Sequence, residues 1–295
     1  MKKAYLFALI ALFLWGIHGP IGRYLAQNDV DMFFVFSARL WIGSLIFFLY
    51  LSIKKKLNIN WFSNLRKVLI ITFFGLIANT IIFHATLIYL PGTYVMVLEN
   101  LAPIFVVSAT FFHYGEKPSH SEINAILVSF FGILLIIHGK NEFPGLSDDY
   151  YKGIILGVLT GVTFGAYIFY SADLMRSFQN NSDEIIKFLF RIFLISAIVC
   201  SPFIFFSKST PHTPKQWILL FELGVFQSGI AYILWNLALA HIKANTASIL
   251  FFLTILFTTI NEVLFLKLDL NKFLIFGSIC ICFAGFWISK KNHVT

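Results

Sequence analysis

The chain has 295 residues, 58% hydrophobic and 12% charged, with a net charge of +8 and a mean hydropathy of +0.82. A soluble domain of this size cannot hide that much apolar surface, so lipid is the expected solvent. The positive charge does not point to nucleic acid, because the basic residues sit in short loops and at the tail, as in Lys54-Lys55-Lys56, Arg66-Lys67 and Lys290-Lys291.

A membrane span takes about 20 apolar residues. The sequence supplies ten candidates, at 4–24, 32–53, 67–89, 92–114, 122–138, 152–171, 184–206, 216–240, 244–266 and 272–289. Little is left for an extramembrane catalytic domain. The opening Lys2-Lys3 and apolar run imitate a secretory signal, but no small-residue cleavage site precedes Arg23, so it reads as an uncleaved first span. That span holds Gly16, Gly19 and Gly22, with His18 and Pro20 among them. Pro20 removes an amide donor to the Gly16 carbonyl. A span interrupted by Gly and Pro points to a cavity or hinge, weighed against plain helix packing. Gly16, Gly19 and Pro20 are therefore hinge candidates, and His18 a cavity candidate with a packing role as its alternative. Arg39, in the second span, lies eight residues past Asp31, about 12 Å deep by helical rise. It is placed either to hold a substrate carboxylate or to snorkel toward a loop.

Span three contributes Asn79 and His84 and closes on the turn Leu90-Pro91-Gly92. Span four carries Glu99 and Asn100 early, then Pro103. A carboxylate in hydrocarbon costs about 2.5–3.5 kcal/mol on insertion scales, so Glu99 needs partners, a wet cavity or a proton. It is the proton-coupling candidate, with substrate-ammonium binding and a structural hydrogen bond as alternatives. Pro103 leaves the Glu99 carbonyl without its helical donor, a second hinge position. The polar run from Gly139 to Asp149, with Pro144-Gly145 at its centre, divides the chain into halves 1–145 and 146–295. In span six, Gly157, Gly161 and Gly165 repeat every four residues, a packing face, and Tyr167 and Tyr170 follow. Arg191 stands in span seven, eight residues past Asp183, with the same alternatives as Arg39; Tyr167 and, in span eight, Gln227, Trp235 and Asn236 are further cavity candidates; Asn261 and Glu262 lie late in span nine, where Glu262 ranks below Glu99. Cys200, Cys280 and Cys282 sit in apolar runs and read as packing residues. The 36 phenylalanines read mainly as lipid-facing filler, with an aromatic-lined cavity as the alternative.

The halves repeat one another. His84 to Ile136 and Trp235 to Ile288 share one hydropathy pattern: helix, short turn (Leu90-Pro91-Gly92; His241-Ile242-Lys243), apolar helix, polar break, and a third helix near Gly132 or Gly285. Arg39 and Arg191 are 152 residues apart, and His84 and Trp235 are 151 apart. Five spans is an odd number, so two consecutive halves cross the membrane in opposite senses and form an inverted repeat. With both termini cytoplasmic, the inner loops carry 13 basic residues against 6 outside, the positive-inside pattern. That bias comes from the first half. No Gly-Lys-Ser/Thr phosphate loop, His-Glu-x-x-His pair or Gly-x-Ser-x-Gly elbow occurs. The expectation is therefore no enzyme, no metal and no cofactor.

Glu99-Asn100-Leu101-Ala102-Pro103-Ile104-Phe105, followed by Phe111-Phe112-His113-Tyr114-Gly115-Glu116-Lys117, resembles the drug/metabolite transporter superfamily, EamA type. Leu14-Trp15-Gly16 and Arg39 fit the same resemblance. The second half departs from it, with Thr254 where Pro is usual and Lys267 or Asp269 near the expected Gly-Glu. The resemblance implies an all-α integral membrane protein: ten helices in two inverted five-helix repeats, carrying metabolites, often amino acids or their relatives, often outward.

The expected protein is an inner-membrane carrier of small organic solutes, working by alternating access around a cavity formed by spans one, three, four, six, eight and nine. Its expected partners are a small-molecule substrate and the lipid bilayer, with a monomer as the unit. A cavity of imidazole, indole, amide and carboxylate groups suits a small zwitterionic or aromatic metabolite. A drug or lipid-precursor exporter is the alternative carrier; a membrane scaffold or accessory subunit is the alternative from another class.

Overall fold

The computed structural model of the chain describes residues 2–90, 92–140, 148–266 and 271–291. They are helical, with no strand among the described residues. Among the described residues nine stretches are long and apolar enough to cross a membrane: span 1 Lys2–Gln27, span 2 Met32–Ile53, span 3 Leu65–Thr86, span 4 Tyr94–Tyr114, span 5 His120–His138, span 6 Tyr150–Ser177, span 7 Ser182–Phe206, span 8 Pro214–Leu239 and span 9 Ala244–Asn261. Span 10 is the shorter apolar segment Lys272–Ile288. Pro91, the 141–147 stretch with the expected boundary at 145/146, Lys267 and Asp269 lie outside the described residues, as do the side chains of Arg23 and Glu262.

Polar residues at the span ends stop and start the helices. Asp31 accepts from the Phe33 amide at the start of span 2, and Asn181 accepts from the Glu184 amide near the start of span 7. Thr213 and Gln216 form a reciprocal capping box around Pro214 at the start of span 8. Gly115 ends span 4 with φ of 70°, a left-handed cap that a side chain would strain. Outward faces are apolar: Phe112 is 84% exposed and Phe205 is 87% exposed in the bare chain. Those rings stand on the outer surface of the bundle, where lipid-facing phenylalanines are expected.

The duplication shows in backbone irregularities as well as in helix order. Span 3 contains a π-helical stretch, Ile71–Ala78, and span 8 contains another, Leu223–Ile230. Their starts are 152 residues apart, the same offset as Arg39 and Arg191. Span 4 breaks between helices Gly92–Glu99 and Ala102–Tyr114, and span 9 breaks at Phe252, between Ala244–Phe251 and Leu253–Leu266. In span 4 the Ile104 amide bonds Leu101, one residue nearer than α-helical geometry places it. Pro103 explains that tightening, because it has no amide to give Glu99. The break in span 9 uses the same shortened bonds, Phe252 to Ile249 and Ile255 to Phe252, yet has no proline; no residue there accounts for it.

Packing follows the repeat. Span 1 lies against spans 8 and 9, and span 6 against spans 3 and 4. Span 2 pairs with span 7, and span 5 with span 10 at the periphery. The glycine face of span 6 abuts span 4 on both sides of its break. A Cβ at Gly161 would lie 2.8 Å from the Leu98 carbonyl oxygen, and one at Gly165 would lie 3.1 Å from Phe105 Cβ. Gly16 and Gly19, expected as hinges, sit in a close approach of span 1 to span 9. A Cβ at Gly16 would meet the Thr258 amide nitrogen at 2.9 Å. Span 1 nevertheless stays helical through Pro20.

Candidate functional site

Between the halves lies a cavity of about 80 Å³, counted as space open to the centre of a water molecule. One water needs roughly 10–15 Å³ on that measure, so the space takes a handful of waters or a small organic group. Its lining comes from spans 1 (Trp15, His18), 2 (Phe36, Arg39, Leu40), 3 (Leu76, Asn79, Thr80, Phe83, His84), 4 (Met96, Glu99), 6 (Phe164), 7 (Phe193), 8 (Ser228, Tyr232) and 9 (Phe251, Thr254). Spans 2 and 7 therefore join the six spans expected to form it, because Arg39 and Phe193 reach inward from the paired helices.

The polar groups form two clusters. In the first, Arg39 Nη1 donates to His18 Nε2 at 2.7 Å, and Arg39 Nε donates to Ser228 Oγ at 3.2 Å. Among the described residues no carboxylate is within ion-pair distance of Arg39. In the second cluster, Asn79 Nδ2 donates to Glu99 Oε1 at 3.1 Å and lies within bonding range of the Thr160 carbonyl (3.2 Å) and Thr163 Oγ1 (3.3 Å) in span 6. His84 Nδ1 donates to the Thr80 carbonyl at 2.7 Å; a carbonyl only accepts, so the ring proton is on Nδ1. The walls are aromatic. Five phenylalanines line the cavity, and the Trp15 indole donates to the Gln227 carbonyl at 3.1 Å.

The π-helical stretches shape this wall. Leu76 and Ser228 lie inside them at equivalent positions, 152 apart, and Thr80 and Tyr232 follow at the same offset; all four line the cavity. Glu99 and Phe251 are a further equivalent pair on the lining. The backbone is thus two-fold while the chemistry is one-sided. The charged groups and imidazoles come from the first half, and the second half supplies Ser228, Tyr232, Thr254 and rings. The same 152-residue offset matches His84 with Asn236, one residue from the Trp235 pairing expected.

Of the residues singled out in the sequence, His18, Arg39, Asn79, His84 and Glu99 meet here. The other residues expected to bind solute do not line the cavity. Asn100 folds its amide back on the Met96 carbonyl at 2.8 Å. Tyr167 is buried behind the wall, its hydroxyl accepting from Asn236 Nδ2 at 2.7 Å. Gln227 donates to Glu222 at 3.0 Å, and Trp235 is buried with its ring 5.3 Å from that of Trp15. Arg191 points elsewhere, donating to the Ser63 carbonyl of the loop between spans 2 and 3 at 2.7 Å. Its repeat equivalence to Arg39 is one of position, not of environment. Tyr232, Ser228, Thr80 and Thr254 were missed, since neutral hydroxyl residues are common in apolar helices, where Ser and Thr can bond a carbonyl of their own helix, and nothing in the sequence sets these apart; Thr254 was visible only as a departure from proline.

The EamA-like transporter family matches the chain twice, over residues 2–138 and 151–290. A biotin transporter of Salmonella typhimurium is 24% identical over 250 residues, covering 82% of this chain and 78% of that protein. An uncharacterized transporter of Clostridium kluyveri is 24% identical over 95% of this chain and 93% of its own length. The uncharacterized transporter YxxF of Bacillus subtilis is 28% identical over 154 residues, 47% of its length. A solved crystal structure aligns with a TM-score of 0.79 over 97% of this chain and 96% of that one, at 16% identity, a likeness of fold. With nine span-length apolar helices and a shorter tenth among the described residues, a repeated irregular backbone and a polar central cavity, the chain is a multi-pass membrane transporter and belongs to the EamA-like transporter family.

Proposed function

We propose that the cavity is the solute site of an alternating-access carrier for small metabolites that bear a carboxylate, amino acids and related zwitterionic or aromatic solutes among them. The observation that carries this reading is Arg39, a cation set in the bundle with its held side on His18 and Ser228 and no ion-pair partner among the described residues. Such a charge costs about 2.5–3.5 kcal/mol to place at mid-membrane on insertion scales; a bound carboxylate would offset that cost. Glu99 and His84 on the same wall offer acceptors to an ammonium or amide end, and the rings suit an aromatic body. Relatives named as biotin transporters make biotin, itself a carboxylate, a member of the test set; a solute of that size needs the cavity to widen.

The loops carrying Lys54, Lys55, Lys56, Arg66, Lys117 and Lys243 share one end of the bundle with Arg176. On the positive-inside pattern that end, with both termini, is the cytoplasmic side of the cell's inner membrane. Export or proton-linked exchange fits this arrangement, with Glu99 as the coupling group. The decisive experiment reconstitutes the purified protein in proteoliposomes and measures flux of radiolabelled amino acids, other carboxylates and biotin. Saturable flux of carboxylated members, lost in R39M, is the expected result. Absence of flux for the whole panel would remove this reading.

A further inference from the structure

Arg39 donates hydrogen bonds and accepts none. Its Nη1 lies 2.7 Å from His18 Nε2, so that nitrogen must present a lone pair. His18 is therefore neutral, with its one ring proton on Nδ1. An imidazolium, or the tautomer protonated on Nε2, would set two donors against each other at the same distance. The ring is braced for the task. It stacks on Phe83, with centroids 5.8 Å apart and planes 22° apart. On its own helix the ring overlies Gly22, where a Cβ would stand 3.6 Å from His18 Cδ2. Around the pair stand His84 from span 3, Glu99 from span 4 and Tyr232 and Glu222 from span 8. None of these makes a hydrogen bond to either partner among the described residues.

Two of the five guanidinium N–H groups are used, one on His18 from span 1 and one on Ser228 from span 8. The other three have no bond among the described residues, on a side chain that lines the cavity. We infer that His18 is the positioning residue of this site: as a neutral acceptor it fixes the Arg39 guanidinium with its unused donors toward the cavity, and so selects solutes that end in a carboxylate. This rests on the cavity being the solute site, and one of its two tests does not depend on flux.

The first test is nitrogen-15 NMR of histidine-labelled protein in detergent, with H18Q identifying the His18 signals. Wild type is expected to show His18 protonated on Nδ1 with a pyridine-type Nε2. In R39M, where the donor is gone, those signals should move as the tautomers mix. A His18 protonated on Nε2, or signals indifferent to R39M, would overturn the assignment. The second test is flux of a carboxylated solute and its methyl ester. H18A should raise KM for the acid by about tenfold, the scale of one hydrogen bond to a charged group, and raise that for the ester by a clearly smaller factor, because the ester offers only a neutral carbonyl acceptor. H18Q, whose amide oxygen also accepts, should restore most of that loss. Equal losses for acid and ester, or no difference between H18A and H18Q, would reject the positioning role. If wild type moves nothing, the solute-site reading fails, and the spectrum still decides whether His18 holds Arg39.

Discussion

Glu99 has a single hydrogen-bond donor among the described residues, the shared amide of Asn79, which is sparse support for a buried carboxylate. That amide also reaches span 6, so the carboxyl is tied to the second half through one side chain. With Glu99 as the coupling group, E99Q carries a permanently neutral surrogate. Its flux should be flat with pH and match the low-pH limb of the wild-type profile, with the melting temperature in detergent unchanged or raised. A variant that keeps the wild-type pH profile would remove the coupling role. The contrast between Arg39 and Arg191 shows how far residues can be read in sequence. Both stand eight residues into the second span of a half, and the spacing alone gives them equal depth. Their neighbours differ. Span 1 presents the His18 lone pair to Arg39, whereas Arg191 meets a loop carbonyl at Ser63. Depth follows from spacing along one helix; partnership depends on which side chains the other helices bring, which no spacing encodes.

At the scale of elements, the question is what holds the halves together. Among the described residues two ion pairs cross between them at one end, Lys67 with Asp173 and Lys56 with Asp183 at 3.7 Å. The side chains of Lys67 and Asp173 are 46% and 37% exposed, and pairs so wet contribute about 0–1 kcal/mol. The glycine face of span 6 is the stronger device, since helix association in lipid depends on close van der Waals fit. At Gly161 the span 4 backbone itself is the neighbour and cannot swing aside. G161L should therefore cost roughly 1–3 kcal/mol or more, while K67Q should cost less than about 1 kcal/mol, both read from unfolding in detergent. Near-equal effects would show that charge, not fit, joins the halves there. The glycine repeat was legible because only small residues at that spacing permit such approach. The π-helical stretches Ile71–Ala78 and Leu223–Ile230 were not, because no residue type marks a shift of backbone bonding by one carbonyl. Those stretches nonetheless turn Leu76 and Ser228 into the cavity.

For the whole molecule, the two ends of the bundle are closed by different chemistry. At the end with the basic loops, Lys56 and Lys67 of the first half meet Asp183 and Asp173 of the second, and Arg191 grips Ser63. At the opposite end the contacts are hydrogen bonds from the 207–213 loop and the start of span 8 to the turn between spans 1 and 2: the Lys208 amide donates to Asp31 at 2.8 Å, Gln216 donates to the Asn28 carbonyl at 3.0 Å, and Ser209 donates to the Asp29 carbonyl. Both sets join one half to the other, so a carrier that exposes its cavity to each side in turn must break them alternately. Locking either end should then stop transport. In a background with Cys200, Cys280 and Cys282 replaced, the pairs K56C/D183C and D29C/S209C place one cysteine on each half at each end. A reducible bifunctional cross-linker at either pair should lower flux to what the uncross-linked fraction supports, and reduction should restore it. Single-cysteine controls should be unaffected. Full flux through protein completely cross-linked at either end would mean that the halves do not rock about the cavity, and that solute passes by a route that leaves these contacts intact.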